Sequence, residues 1–265
     1  CSISPPVTIT RNDRSRSAKY ADGLSTREEA VTRTLQSELG RLPLVGGSAA
    51  DGLVFGHTHV FFDGDFHADS AVLVLVTTPL PFRIFKTQHF VPTDQRLVVT
   101  AADAGQRVVR EIDGWPAAET YARLVGASVH SLEPRHFARS PLVVLIAGTN
   151  YVRSIQKANP DGSLTFLCAI EEGMVLRVGR GVNLVDNLEH AFAALEAAIG
   201  QPQLAVGCDC ILRKLEITQC GLLNRVESIF RDNNVIGFNS YGEQYRGVHV
   251  NQTLTGIAIG EVVSG

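Results

Sequence analysis

The chain has 265 residues, a formal net charge of −3, and 45% hydrophobic against 19% charged residues. This is a globular composition, long enough for one large domain or two ordinary ones, and the small net charge argues against nucleic acid or an anionic membrane as partner. The longest apolar runs, AVLVLVTTPLPF and PLVVLIAG, fall far short of a bilayer span and are predicted as buried strands.

Residues 1–23 are polar, with a Pro-Pro pair, and are predicted as an irregular lead-in or the remnant of a longer segment. No secretory signal opens them, and a first residue of Cys suggests a processed or trimmed chain. Ser25-Thr26-Arg27-Glu28-Glu29 then starts a helix, with hydroxyls to cap it and early glutamates at its positive end. Ala30, Val31, Leu35 and Leu39 form its apolar face and Gly40 closes it. Leu44-Val45 leads into a turn of small residues, Gly46 to Gly52. Strands are predicted at 59–62 and 71–76, separated by a turn at Asp63-Gly64-Asp65, then at 82–87, 97–100 and 107–112. A short helix at 116–124 opens on Pro116 and ends before Gly126. A strand follows at 141–147, and the runs SLTFLCAI and MVLRVGRG make a hairpin through Glu171-Glu172-Gly173. An amphipathic helix spans 187–199, with Leu188, Phe192, Leu195 and Ile199 on one face. The remaining elements are a strand at 203–206, a helix at 221–230, and strands at 234–238 and 254–259. The pattern predicts an α+β or mixed α/β fold with predominantly antiparallel sheets.

A repeat runs through this pattern. A helix precedes LVGGSAADGLVFG, and another precedes VIGFNSYGEQYRG; Gly46 to Gly56 and Gly237 to Gly247 are equally spaced, and His57 and His249 follow. Two lobes of helix–strand–glycine-turn–strand units are expected, with glycine where backbone approaches something closely.

The turns lack the Walker lysine and the GxGxxG pattern at a strand-to-helix junction, so tight β-turn geometry is favoured over a phosphate cradle. Cys208-Asp209-Cys210 is not a zinc signature, even with Cys168 and Cys220 considered; buried thiols are expected. An odd cysteine count without a regular framework fits a reducing, cytoplasmic location. Cys1 could act as an N-terminal nucleophile, but the Pro-Pro break after it argues against this. No Ser-His-Asp order and no GxSxG is legible, so no enzyme is specified. Of eight histidines, His57 and His59 could share one face of a strand. His89, between Phe85 and Phe90, and His249, near Tyr241 and Tyr245, each fit either a hydrogen-bonded core residue or the single ligand of a five-coordinate haem. No CxxCH is present, so any haem would be non-covalent.

FNSYGEQYRGVHVNQTLTGIAIG resembles the C-terminal signature of FIST proteins, the sensory family with F-box and intracellular signal transduction domains. DGLSTREEAV, LPLVGGSAADGLVF, THVFFDG and EIDGWPAAETYARLVG resemble its N-terminal region, EEGMVLRV its EG-containing hairpin, and Cys210-Ile211-Leu212-Arg213 its Cys-x-x-Arg element. The resemblance implies an N-type domain over 24–138 and a C-type domain over 139–265. Only a short stretch precedes Asp22, where the family usually has a further unit. FKTQHFVPT and GEQYRGVHVNQT look most like the nitric-oxide-sensing haemoprotein subgroup, NosP. That likeness implies non-covalent haem b, His89 as first-choice iron ligand and His249 as second, with Phe238 and Tyr241 beside the cofactor. It further implies nitric oxide as ligand and a partner histidine kinase or cyclic-di-GMP enzyme (a diguanylate cyclase or phosphodiesterase), in a cytoplasmic and possibly homodimeric biofilm sensor. The alternative is a FIST module without haem that binds a metabolite such as an amino acid, held between the lobes by backbone amides of the glycine turns.

Overall fold

The computed structural model describes residue 24, residues 26–146 and residues 148–261. The lead-in, Cys1 and the Ser25 cap lie outside the described residues. Six α-helices accompany mostly antiparallel sheets, as the pattern predicts. None of these helices is long and apolar enough to cross a membrane.

The larger sheet orders its strands Ile155–Ala158, Leu164–Phe166, Val108–Ile112, Phe90–Asp103, Val175–Gly181, Leu142–Ile146 and Thr149–Arg153, with Trp115–Pro116 pairing onto Val108–Ile112. Alternating residues Leu97 and Val99 point into a core shared with Ile112, Leu164, Phe166 and Leu176. The helices Ala117–Val125 and Pro134–Arg139 cover it, and Tyr121 donates from its hydroxyl to the carbonyls of His136 and Ser140 at 3.0 and 2.9 Å. Strands from both sides of the expected 138/139 boundary share this sheet.

The smaller sheet runs Val235–Ser240, Leu204–Cys210, Leu254–Ile259, Phe82–Thr87. Its first pair is parallel and the rest antiparallel. The helix Leu184–Ile199 lays Leu188, Phe192, Leu195 and Ile199 against Phe85 and Leu254. Its start is capped by Asn183, whose side chain accepts from Val185 and Asp186 amides. Glycine is needed inside this sheet: a Cβ at Gly256 would sit 2.6 Å from the Phe85 ring.

A third, three-stranded sheet joins the repeats, pairing Val45–Gly47 with Glu243–Tyr245, and the latter with Val248–Val250. The first copy's strand therefore docks beside the second copy's turn. The second copy's own strand, Val235–Ser240, belongs to the smaller sheet.

Several expectations change. The runs SLTFLCAI and MVLRVGRG form no hairpin: Leu164–Phe166 pairs with Ile155–Ala158 and Val108–Ile112, and Val175–Gly181 with Phe90–Asp103 and Leu142–Ile146. The helix Glu28–Leu39 buries Glu28 and Thr32, because Arg107 draws the glutamate inward, and leaves Ala30 exposed. Residues 71–76 form no strand; AVLVLV runs extended and exposed, because no sheet edge among the described residues pairs with it. His57 and His59 precede the strand Val60–Phe62 and share no strand face. The helices Ile211–Gln219 and Pro134–Arg139 were not anticipated, since β-branched residues in the first and the brevity of the second blur the 3.6-residue period.

Candidate functional site

The chain crosses from the smaller to the larger sheet within Gln88-His89, between the strands Phe82–Thr87 and Phe90–Asp103. Around this crossover the structure gathers buried polar groups. The strand Leu204–Cys210 ends where the helix Ile211–Gln219 begins, which places Asp209 one turn from Arg213, with Arg213 Nε 2.8 Å from Asp209 Oδ1. One turn further on, Glu216 reaches His89 Nε2 at 3.0 Å. From the opposite side, Asn187 Nδ2 donates to the Gln88 carbonyl at 3.3 Å.

Arg213 is fully buried, yet among the described residues its Nη1 and Nη2 have no hydrogen-bond partner, and the Nε contact to Asp209 lacks hydrogen-bond alignment. Gln88 Oε1 and Asn187 Oδ1 are buried acceptors in the same condition, while Asp209 Oδ1 and Glu216 Oε2 have only their ion-pair contacts, to Arg213 Nε at 2.8 Å and His89 Nε2 at 3.0 Å. Burial pushes the Asp209 carboxyl above the usual carboxylate range, against the opposing pull of Arg213 and then His89. Unmatched donors on one guanidinium thus stand beside unmatched acceptors. Buried polar atoms are normally paired, and these depart from that rule.

The glycine turns meet but use their amides on one another. Ser48 N donates to the Gly242 carbonyl at 2.8 Å and Tyr241 N to the Ser48 carbonyl at 3.1 Å. Asp51 accepts from the amides of Phe55, Gly56 and His57 and from the Tyr241 hydroxyl. These amides are not free to hold a ligand, contrary to expectation; the turns are a lock between the repeats. Beneath them Glu243 is fully buried, accepting from the hydroxyls of Ser240 and Thr253 at 2.7 Å. Burial raises its carboxyl to about 8, over the opposing hydrogen bonds from Ser240 and Thr253. Burial also lifts the thiols of Cys168 to about 11 and Cys208 to about 12, away from the reactive thiolate.

The four residues expected around a cofactor have separate surroundings. Phe238 is 51% exposed on the edge strand of the smaller sheet. Tyr241 stacks on Phe55 with ring centroids 4.9 Å apart, inside the turn lock. His249 places Nε2 3.4 Å from the Leu167 carbonyl, and its ring fills the space at Gly242, where a Cβ would lie 2.3 Å from Cε1. His89 alone belongs to the crossover cluster. As placed, its ring does not fit a porphyrin: one edge is held by Glu216, Phe90 lies 4.1 Å away between centroids, and even a Cβ at Gly181 would lie within 3.9 Å of Nε2 and Cδ2. Asp209, Arg213 and Glu216 were missed as site residues. The Cys-x-x-Arg element was the one signal that pointed to Arg213.

The pattern of the FIST N domain matches residues 6–115, and that of the FIST C domain matches residues 117–246. A curated relative, Uncharacterized protein MJ1623 of Methanocaldococcus jannaschii, is 24% identical in a match covering 87% of this chain and 51% of that protein. The chain thus spans about half the length of this relative. No solved structure matches.

Proposed function

This chain belongs to the FIST family, whose domains are sensory modules in signal transduction, and we propose that it senses a small zwitterionic metabolite, an amino acid, at Arg213. The carrying observation is the fully buried Arg213 guanidinium, whose Nη1 and Nη2 have no hydrogen-bond partner among the described residues. A ligand carboxylate would take the guanidinium in the planar, two-bonded geometry that arginine favours. The ligand ammonium would face Glu216 Oε2 and Asn187 Oδ1. The groups come from the helix Ile211–Gln219 and from the linker between the two sheets, so occupancy would bias how the sheets sit against each other. A partner histidine kinase or cyclic-di-GMP enzyme would read that shift, without chemistry on the ligand.

The test is a thermal-shift screen of the twenty amino acids on wild type and on Arg213→Met. A ligand at about a hundred times its dissociation constant stabilises the folded state by about 2.7 kcal/mol. The shift should appear in wild type and vanish in the variant; an unchanged shift in the variant refutes the site.

The subgroup resemblance supports a second reading, a haem-based nitric-oxide sensor, and the observation in its favour is the unpartnered Nδ1 of His89. It requires the ring to leave Glu216 and Phe90. An absorption spectrum after incubation with haemin decides: a Soret band lost in His89→Ala supports it, and a colourless protein ends it.

A further inference from the structure

Thr149–Arg153 is the terminal strand of the larger sheet, and Arg153 lies at its end, opposite Leu142. The Arg153 side chain is buried, no carboxylate pairs with it among the described residues, and its Nε and Nη1 have no hydrogen-bond partner there. Arg107, the other arginine of this region, is matched by both Glu28 and Glu29. Buried guanidinium donors left unpaired are costly and call for an acceptor.

Other unmatched groups lie on the adjoining residue, Ser154, and on the strand Val248–Val250, at His249. Ser154 is fully buried with its hydroxyl unpaired, and its carbonyl accepts from the Leu167 amide at 2.9 Å. His249 faces the Leu167 carbonyl through Nε2, which leaves Nδ1 unpaired. Leu167 therefore contacts both, Ser154 through its amide and His249 through its carbonyl. The Arg153 charge acts on both His249 and the neighbouring Cys168.

We propose that Arg153, Ser154 and His249 form a second binding site, distinct from Arg213, for a small oxyanion: an organic carboxylate or an inorganic oxyanion. The Nε and Nη1 edge of a guanidinium matches two oxygens of such a ligand, and the Ser154 hydroxyl and His249 Nδ1 supply the further donors. Every one of these atoms is shut off from solvent, so the ligand is small and enters when the edge strand opens.

The charges around the site are Glu28, Glu29, Arg107 and Arg153, which cancel while His249 is neutral. Burial holds the His249 imidazole below its ordinary value; Glu29 and Glu28 oppose this, while Arg107 and Arg153 reinforce it. An anion added here leaves one net negative charge, which a proton on His249 neutralises. Binding therefore takes up a proton and tightens as pH falls.

The experiment follows the His249 ring resonances by NMR, assigned with His249→Asn, during separate titrations with acetate, inorganic phosphate and chloride. Saturable perturbation by acetate or phosphate is expected, and whichever acts names the ligand source. Arg153→Met should weaken it by roughly tenfold or more and Ser154→Ala severalfold, while Arg213→Met should leave it unchanged, which separates this site from the metabolite reading. Acetate should bind more tightly at about pH 6 than at about pH 8. No response to either oxyanion, an equal response to chloride, or an unchanged affinity in Arg153→Met overturns the proposal. Should Arg153→Met fail to fold, an unchanged affinity in Ser154→Ala does the same.

Discussion

Replacing Glu243 by glutamine should make the protein more stable at alkaline pH and leave it nearly unchanged in mild acid. In the folded state the carboxyl titrates at about 8, chiefly through burial, with the Asp209 charge adding to it. An unperturbed glutamate titrates near 4.5. A raised folded value means that between these limits the native state holds a proton the unfolded chain has released. Stability from this group is complete below the unfolded value and is lost as pH rises towards the folded one. The loss is about 1.4 kcal/mol per pH unit, and about 4 to 5 kcal/mol over the whole interval, an upper bound set by complete desolvation. Glutamine mimics the protonated acid: its oxygen can accept from the Thr253 amide and hydroxyl, and its amine can donate to Ser240 Oγ. Urea denaturation at pH steps from about 5 to about 9 measures this, with an unchanged m-value as the check that only stability moved. Parallel stability profiles for wild type and Glu243→Gln would refute the reasoning.

Arg107→Met leaves Glu28 and Glu29 buried without their cation and should cost about 3–5 kcal/mol near neutral pH. Burial would raise the Glu29 carboxyl, but His249, then Arg107 and the Ala169 amide, hold it below the usual range. Stability of that kind is present above the unfolded value of 4.5 and lost below it, so the deficit in melting temperature should shrink as pH falls through 4.5. Tyr241→Phe removes the hydroxyl that meets Asp51 and the amides of Leu53 and Phe55. It should cost about 1–3 kcal/mol in denaturant and speed amide exchange at Phe55 to His57.

The local signals in this chain were strong where periodicity or a turn residue settles a segment by itself. Leu188, Phe192, Leu195 and Ile199 mark their helix because one face of it alone is buried, whereas the Glu171-Glu172-Gly173 turn joins no hairpin, because the runs on either side of it pair with other strands. The glycines of the two repeats announced a close approach, and the structure shows what they approach: Gly47 the side chains of Cys208 and Ser240, Gly237 the backbone of Gly207, and Gly242 the His249 ring. Family membership, too, was legible in contiguous motifs.

Side-chain pairing across long separations was not legible. Arg107 meets Glu28 and Glu29, Tyr241 meets Asp51, and His89 meets Glu216 across 79, 78, 190 and 127 residues. No local pattern encodes such partners, because they depend on how three sheets stack. AVLVLV has every local mark of a buried strand and forms none, since a strand exists only where another edge supplies its hydrogen bonds. Arg153 looks in sequence like any surface arginine, and Arg213 is marked only by its Cys-x-x-Arg element. Tertiary packing alone removes water from both and leaves their amines unmatched, and it is that desolvation which turns two ordinary cations into candidate binding groups.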